Sequence, residues 1–438
     1  MLASTLLFSV CANALTLPDL LRAASDSHPT IQAARQNVNA ANEDLNVAQR
    51  QYWPTFSASV ESGTRNTTEI PARLLRAEQT LWDFGRTKAN VGYSERSVDV
   101  ASAALAAQRQ AIGLQVIDAW RTLQSSHGRI RVSQDMLKHL GQHESMMLRR
   151  VAGELSTQID LDLVRSRILQ ARVELTQAQT SGQVAITRLQ NLTGLQNLQS
   201  VLADMPPLPS RADLDAQFQA LGRLDWDAAA NRQPAVLRAV EEMRAGNERI
   251  AAKTAESHPQ IYARLDQYLD GRRETGAYLG VRYTPGAGFS TWIEAKALAA
   301  RALALEETVQ AARIEARQTL DLDRDDLRDN GVRAKALDLA VQGAQRVFES
   351  YERQFPAGRK TWIDLMNAIR ELAQNAYTLV DAHAAQAGAL YRLQLRMDPE
   401  MIGASSMPLP LTDGTDERLV PASITTAPLS SPLMADKP

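Results

Sequence analysis

The feature that most constrains this 438-residue chain is an internal duplication. Residues 29–54 recur without a gap as residues 234–259, and each copy begins and ends with proline. The residues that match in register are Pro29 and Pro234, Ala34 and Ala239, Ala40 and Ala245, Asn42 and Asn247, Glu43 and Glu248, and Pro54 and Pro259. A repeat of this length predicts one structural unit written twice, so function is expected to depend on what two such units build.

The composition favours long helices over ordinary globular domains. Only 5% of the residues are aromatic, while Ala, Gln, Arg, Leu and acidic residues fill long runs that lack Pro and Gly. Such runs are typical of long helices packed through small side chains. The net charge of -2 provides no field that would recruit nucleic acid, and we expect no nucleic-acid partner.

The N-terminus has the pattern of a signal peptide. A short apolar run precedes Ala12-Asn13-Ala14, which predicts a signal peptide over residues 1–14. Cys11, the single cysteine, lies inside that segment, so a processed chain would have no thiol for a disulfide or a metal site. No later apolar run approaches the roughly 20 residues of a membrane-spanning helix. We expect an exported protein that either is soluble or spans a membrane by strands.

The apolar period changes in the same order in both copies. It is helical up to Pro54, then alternates every two residues as in strands, and becomes helical again after Gly85. This predicts the following domains: a first repeat at 15–195, with strands at about 55–65 and 72–82 and a helical hairpin turning near 151–158; a linker at 196–228; a second repeat at 229–397, with strands at about 260–269 and 277–283 and a hairpin turning near 355–361; and a disordered tail at 398–438. The first helix is expected to run from 17 to 51.

The predicted strands are long enough to cross a bilayer, but four strands cannot close a barrel. Open strand edges cannot face lipid, because their amide groups would lack hydrogen-bond partners. We therefore expect other copies of the chain to complete the sheet. Aromatic residues near the strand ends are candidates for an interfacial girdle, with ordinary core packing as the alternative. They are Trp53, Trp82, Tyr262, Tyr278 and Tyr283.

The order of helix, strand pair, long helix, turn and return helix resembles the TolC-like outer membrane efflux family over residues 17–397. The local signals are the turn segments at 150–161 and 351–365 and the strand-to-helix junctions at 81–85 and 283–288. The resemblance implies a mainly α protein with a transmembrane β-barrel: a homotrimer in the outer membrane, with a twelve-stranded barrel and a periplasmic tunnel of helices. It also implies a passive channel that works with a periplasmic adaptor protein and an inner-membrane transporter.

The resemblance further assigns roles to residues of the two turns. Asp364 matches an aspartate that lines the channel constriction, and Asp160 is its counterpart in the first repeat. Phe355 and Lys360 stand where the family often has a Tyr and an Arg that hold the gate, so packing or ion pairs of Arg359 and Lys360 are expected to replace that hydrogen bond. The expected adaptor-docking residues are Gly153, Gly358, Arg359 and Leu365. For Asp364 and Asp160, helix capping remains the alternative.

Residues 354–365 and 283–288 look most like the outer-membrane component of a type I secretion system that exports adhesins or RTX-type proteins. That subgroup implies an inner-membrane ABC transporter and a secreted protein as partners, besides outer-membrane lipid. A drug or small-molecule efflux channel of the same fold is the nearest alternative. A soluble periplasmic helical scaffold is the alternative from another class.

No cofactor, metal site or enzymatic activity is expected. His139 and His143 are one helical turn apart, a spacing that can hold a metal ion, but no third ligand lies nearby. A solvated helix face is therefore the expected setting of both histidines. No Ser/His/Asp order or carboxylate pair stands out among the many charged residues.

Overall fold

The computed structural model describes residues 16–65, 68–195, 198, 208–221, 225–269 and 275–397, with the backbone alone at 61–65 and 68–72. All of these residues lie within the unit Met1–Gly403. The predicted signal peptide, the predicted tail and parts of the predicted linker lie outside the described residues. Within the described part, no helix combines the length and the apolar stretch that crossing a membrane requires.

The first helical segment is two helices, α1 (Leu17–Ser27) and α2 (Pro29–Gln49). The prediction of one helix over 17–51 was wrong because His28 precedes a proline and has an extended backbone conformation (φ -67°, ψ 126°). Pro29 begins α2 at a position where its missing N–H costs nothing, and the His28 ring accepts a hydrogen bond from the backbone N–H of Thr30 at 3.3 Å. In the second repeat, α7 (Pro234–Glu256) likewise starts at proline.

The strands form one antiparallel sheet in the order β1 (Thr55–Arg65), β2 (Thr68–Trp82), β3 (Gln260–Tyr268), β4 (Thr275–Arg282). β1 and β2 come from the first repeat and β3 and β4 from the second, so the β2–β3 ladder joins the two repeats. β2 begins four residues before the predicted start at 72. Within the described residues, β1 and β4 each pair on one side only.

Each strand pair leads into a helical hairpin. The first consists of α3 (Arg86–Ala152) and α4 (Gln158–Thr193), and the second of α8 (Ser290–Gln354) and α9 (Trp362–Met397). With 67 residues, α3 is on the order of 100 Å long at 1.5 Å per residue. α9 packs against both α8 and α3, so it joins the two hairpins.

Part of the predicted linker is helical. α5 (Arg211–Leu221) and α6 (Trp226–Asn231) precede α7, and α5 packs on the second hairpin. Arg211 pairs with Asp338 of α8 at 3.3 Å, and Gln386 of α9 donates a hydrogen bond to Asp215 at 3.1 Å. These contacts hold α5 against the middle of the hairpin, far along the chain from either turn.

Candidate functional site

The first hairpin turn, residues 153–157, ends in a capping box. The backbone N–H of Thr157 donates to Asp160 Oδ2 at 3.1 Å, and the backbone N–H of Asp160 donates to Thr157 Oγ1 at 3.3 Å. These reciprocal bonds satisfy donors at the start of α4 that have no partner within the helix. Asp160 therefore belongs to a capping box, and its predicted position at the channel constriction stays a prediction.

The second hairpin turn, residues 355–361, ends in the same motif. Thr361 N–H donates to Asp364 Oδ2 at 3.1 Å, and Asp364 N–H donates to Thr361 Oγ1 at 3.2 Å. Hydrogen bonds from the Thr361 side chain and backbone, and then the nearby Lys360 ammonium, hold the pKa of the Asp364 carboxyl below its usual value. Capping is thus present at Asp364 too, and its predicted position at a constriction stays a prediction.

Two buried aromatic residues anchor the second turn. The ring centres of Phe355 and Trp362 are 5.2 Å apart. The Arg150 guanidinium of α3 lies 5.0 Å from the Phe355 ring centre. Trp362 is 5% exposed and its Nε1–H donates to the carbonyl oxygen of Asp160 at 2.9 Å. The second turn is therefore attached directly to the capping residue of the first.

The two cations of the second turn do not hold it by ion pairs. Among the ion pairs between described residues, neither Arg359 nor Lys360 takes part. Lys360 instead places its Nζ 4.2 Å from the centre of the Tyr351 ring, a cation–π contact. Of the two replacements expected for the missing tyrosine hydroxyl, packing around Phe355 is the one present.

Leu365 does not fit its predicted role in adaptor docking. It is 0% exposed and packs with Met366 and Ile369 in the apolar core beneath the turns. The prediction was wrong because the first turn of α9 directs Leu365 inward, while Ile363, two residues earlier, is 59% exposed. Gly153, Gly358 and Arg359 are exposed, as predicted docking residues must be.

Exposed apolar side chains at the turns were missed by the sequence analysis. Ile159 is 78% exposed, and Leu155 and Ile363 are exposed as well. Their signal in the sequence is an apolar residue next to a glycine-containing turn, where no neighbouring turn of helix can cover it. Gly358 has a φ of +71°, a conformation that side chains rarely adopt, which fixes the need for glycine in the second turn.

The sheet has one apolar face and one charged face. Side chains of the apolar face are exposed, and they are Phe56, Val60, Leu75, Leu265, Leu279 and Val281. On the other face, Arg76 makes two hydrogen bonds to Asp266 at 2.9 and 3.3 Å, and Arg282 pairs with Glu78 at 2.9 Å. A sheet with this arrangement has charged groups paired on one side and an uncovered apolar surface on the other.

Tyr262 and Tyr278 belong to the charged face. Their rings lie 4.6 Å from the Arg282 guanidinium and 4.7 Å from that of Arg264, respectively. Trp82 pairs with Ile261 on the apolar face, so the predicted girdle cannot contain both tyrosines and Trp82 on one surface. The prediction was wrong for the tyrosines because Tyr262 faces Gly280 across the strands, where the missing side chain leaves room for the ring.

The remaining girdle candidates lie at the end of the sheet where the helices begin. Trp53, Trp82 and Tyr283 are exposed there. Further exposed aromatic residues at this end were not predicted, and they are Phe84, Phe289 and Trp292. Phe84 and Phe289 occupy corresponding strand-to-helix junctions with φ of 54° and 60°, an uncommon conformation for a bulky residue that recurs in both repeats.

The described residues contain no group of three or more His, Cys, Asp or Glu side chains that could hold a metal ion. The expected setting of His143 was nevertheless wrong. His143 is 4% exposed rather than solvated, whereas His139 is exposed. The reason is that α8 and α9 cover the face of α3 on which His143 lies.

A comparison with protein families supports a channel. The family described as outer membrane efflux protein matches residues 20–195, from within α1 to just beyond α4. The match confirms the predicted resemblance to outer membrane efflux proteins. It also agrees with the predicted outer-membrane localisation and with a channel rather than an enzyme.

Comparison with solved structures shows the fold. The outer-membrane channel OprN is similar with a TM-score of 0.75 and 14% identity, over 88% of this chain and 90% of that chain. The outer membrane protein VceC of Vibrio cholerae gives 0.73 and 15%, over 87% and 95%. The MtrE outer membrane channel of Neisseria gonorrhoeae gives 0.68 and 14%, over 87% and 88%. A search of curated proteins found no match.

Proposed function

We propose that this chain is one protomer of a trimeric outer-membrane channel with a periplasmic helical tunnel, and that it serves as the exit duct of a type I secretion system. The observation that carries the proposal is the sheet: its apolar face is exposed, its outer strands lack a second partner among the described residues, and it continues directly into two long helical hairpins.

A sheet of this kind is unstable by itself in lipid, because unpaired backbone groups at its edges would cost several kcal/mol each. Three copies would contribute twelve strands and remove every edge, and the apolar face would then contact lipid. The aromatic residues Trp53, Trp82 and Tyr283 would mark the end of the lipid-facing surface near the helices. The charged face, with Arg76, Asp266 and Arg282, would line the interior.

The duct is passive in this proposal. An inner-membrane ABC transporter supplies energy, and a periplasmic adaptor protein contacts the hairpin turns, where Gly153, Gly358 and Arg359 are exposed. Three Asp364 carboxylates around the axis would concentrate negative potential at the narrow end and favour cations. The similar solved structures OprN and MtrE are outer-membrane channels and support the channel class. The secretion role rests on the likeness of residues 354–365 to that subgroup.

Membrane fractionation tests the channel itself. A heat-sensitive trimer in the outer-membrane fraction is expected. Recovery of the chain as a soluble periplasmic protein would instead support the scaffold alternative. In a deletion strain, loss of a surface adhesin with unchanged drug sensitivity is the expected phenotype, and the reverse result would establish the efflux alternative.

The constriction is tested with Asp364→Asn, which removes the charge but keeps an oxygen that accepts the Thr361 hydrogen bond. Single channels in planar bilayers are expected to lose cation preference. Asp162→Asn is the control, because Asp162 is an exposed carboxylate beside the first turn with no predicted place at the constriction. Equal selectivity in Asp364→Asn and the wild type would contradict a lumen-facing Asp364.

A further inference from the structure

His143 is buried beneath the second turn. Its ring centre is 6.0 Å from that of Phe348 of α8 and 6.0 Å from that of Trp362 of α9, at interplanar angles of 86° and 77°. We call these three residues the aromatic clasp. The Nε2 atom of His143 is buried and has no hydrogen-bond partner. A buried polar atom without a partner is uncommon and calls for a physical account.

The clasp joins both hairpins at one point. His143 belongs to α3, Phe348 to α8 and Trp362 to α9, and Trp362 also donates its Nε1–H to Asp160 at the start of α4. A change in the packing of His143 therefore acts on the contact between the first hairpin and the second turn. Because Asp364 follows Trp362 by two residues, the position of its carboxylate depends on the same contact.

The titratable groups that face His143 have opposite effects on its pKa. From α8, Glu352 Oε1 lies 3.7 Å from His143 Nε2, too far for a hydrogen bond, and its side chain is half-exposed. The Glu352 carboxylate raises the pKa of His143, whereas the nearby His139 imidazole of α3 lowers it. α9 contributes the uncharged Trp362 ring. Burial outweighs the carboxylate and, with His139, holds the pKa of His143 below its ordinary value.

The closed packing consequently favours the neutral imidazole. Its stability is complete above the ordinary histidine pKa of about 6.5 and is lost as the pH falls below that value, because the loosened state binds the proton more tightly. A cation at Nε2 would need solvent or a moved Glu352, and either requires the clasp to open.

We propose that His143 is an acid-sensitive positioning residue: on taking up a proton it loosens the aromatic clasp and releases the second turn from the first hairpin. The loosening does not depend on the proposed function, because it concerns only the packing of His143 against Phe348 and Trp362. Its consequence, an acid-induced change in the state of the gate, rests on the proposed channel function.

Hydrogen exchange on the full-length trimer in detergent tests the loosening. We expect peptides covering 345–366 to lose protection between pH 7.5 and 5.5 after correction for intrinsic rates, by at most about tenfold, since one pH unit below about 6.5 changes a proton-linked equilibrium by no more than that factor. His143→Leu, of similar size and uncharged, is expected to keep the same protection at both pH values. His258→Gln is the control, because His258 is exposed and lies outside the clasp, and it should respond as the wild type does.

Glu352→Gln provides a second variant that does not alter the clasp. Removal of the carboxylate lowers the pKa of His143 further in the closed packing only. The loss of protection is therefore expected to begin at the same pH and to become larger below the pH at which the wild-type loss levels off. An unchanged response in His143→Leu, or no loss of protection in the wild type, would overturn the role of His143. If His143→Leu fails to form trimers, a loss in Glu352→Gln no larger than that of the wild type in acid overturns it as well.

Conductance in planar bilayers separates this inference from the proposed function. A conducting wild-type channel whose turns keep equal protection at both pH values leaves the channel intact and rules out the acid-sensitive clasp. A trimer that loosens in acid but never conducts keeps the clasp and rules out the channel.

Discussion

The two hairpin turns share one capping motif but differ in what surrounds it. Thr157 and Asp160 in the first turn correspond to Thr361 and Asp364 in the second, with nearly equal hydrogen-bond distances. The second turn adds buried Phe355 and Trp362, whereas in the first turn Leu155 is exposed and the exposed Gln158 stands where the second turn has Trp362. The duplicated unit has therefore kept its helix starts and diverged in its packing.

Because of this difference in packing, the second turn depends on contacts with the first hairpin more than the first turn depends on the second. The second turn is held by aromatic packing and by a hydrogen bond from Trp362 to Asp160, so it depends on the first. The first turn depends on its own cap and on the packing of α4 against α3. Substitutions in the second turn should consequently have larger effects than their counterparts in the first.

The largest effect is expected for Trp362→Ala. Truncating a buried tryptophan typically costs about 3–5 kcal/mol, here concentrated on the second turn and the start of α9. Hydrogen exchange of residues 355–366 measures it. Ile363→Ala is the control, because Ile363 is exposed and its loss should stay within about 0.5 kcal/mol. Equal effects of the two substitutions would mean that the aromatic anchor does not distinguish the turns.

Trp362→Phe isolates the link between the turns. The ring packing is largely kept, but the Asp160 carbonyl loses its donor, which is expected to cost about 1 kcal/mol. The loss should appear in the exchange of residues 157–163 as well as at the second turn. Confinement of the change to residues 355–366 would contradict a direct link between the turns.

The capping boxes are compared by Asp160→Ala and Asp364→Ala. Each should weaken the start of its own helix, because the carboxylate accepts a hydrogen bond from the backbone N–H of the threonine three residues earlier. The helix starts can be followed by exchange of the backbone amides at 157–160 and 361–364. Effects that differ by more than about 1 kcal/mol would show that one carboxylate does more than cap.

The smallest effect is the pH dependence of the second cap. The pKa of Asp364 lies below its ordinary value of 3.8. The stability that the ionised carboxylate adds to the start of α9 is therefore present above pH 3.8 and is lost as the pH falls through the lowered pKa. Protection at the start of α9 should accordingly decrease below about pH 4 in the wild type and change little in Asp364→Asn. The same decrease in both proteins would assign the acid response to another group.

Much of the fold could be predicted from the proline and glycine residues that interrupt the helical runs of the sequence. Pro54 and Pro259 end helices, Gly85 precedes α3, and the turns fall where glycine interrupts long helical runs. The hairpins turn within a residue or two of the predicted 151–158 and 355–361, and α9 ends at 397, the predicted end of the second repeat. These features depend on local backbone chemistry, which periodicity and turn residues express directly.

The candidate site was harder to predict because it depends on contacts between distant segments. Leu365 and Ile363 are both apolar, and only the packing of α9 on α3 and α8 decides which one is buried. The same holds for His143, whose burial requires two helices from the other repeat. Tyr262 and Tyr278 were predicted at strand ends, but the face each one occupies follows from the strand register.

The β2–β3 ladder, which unites the two repeats, also constrains the order of biosynthetic events. Its partners Arg76 and Asp266 are 190 residues apart in the chain, so this ladder closes only after the first hairpin, the linker and the beginning of the second repeat have been made. Until then β2 has an unpaired edge next to apolar side chains, a combination that promotes aggregation. Contacts of such long range form slowly. The first repeat alone therefore presents a strand edge at which other chains can pair, and this edge is covered only when β3 is added.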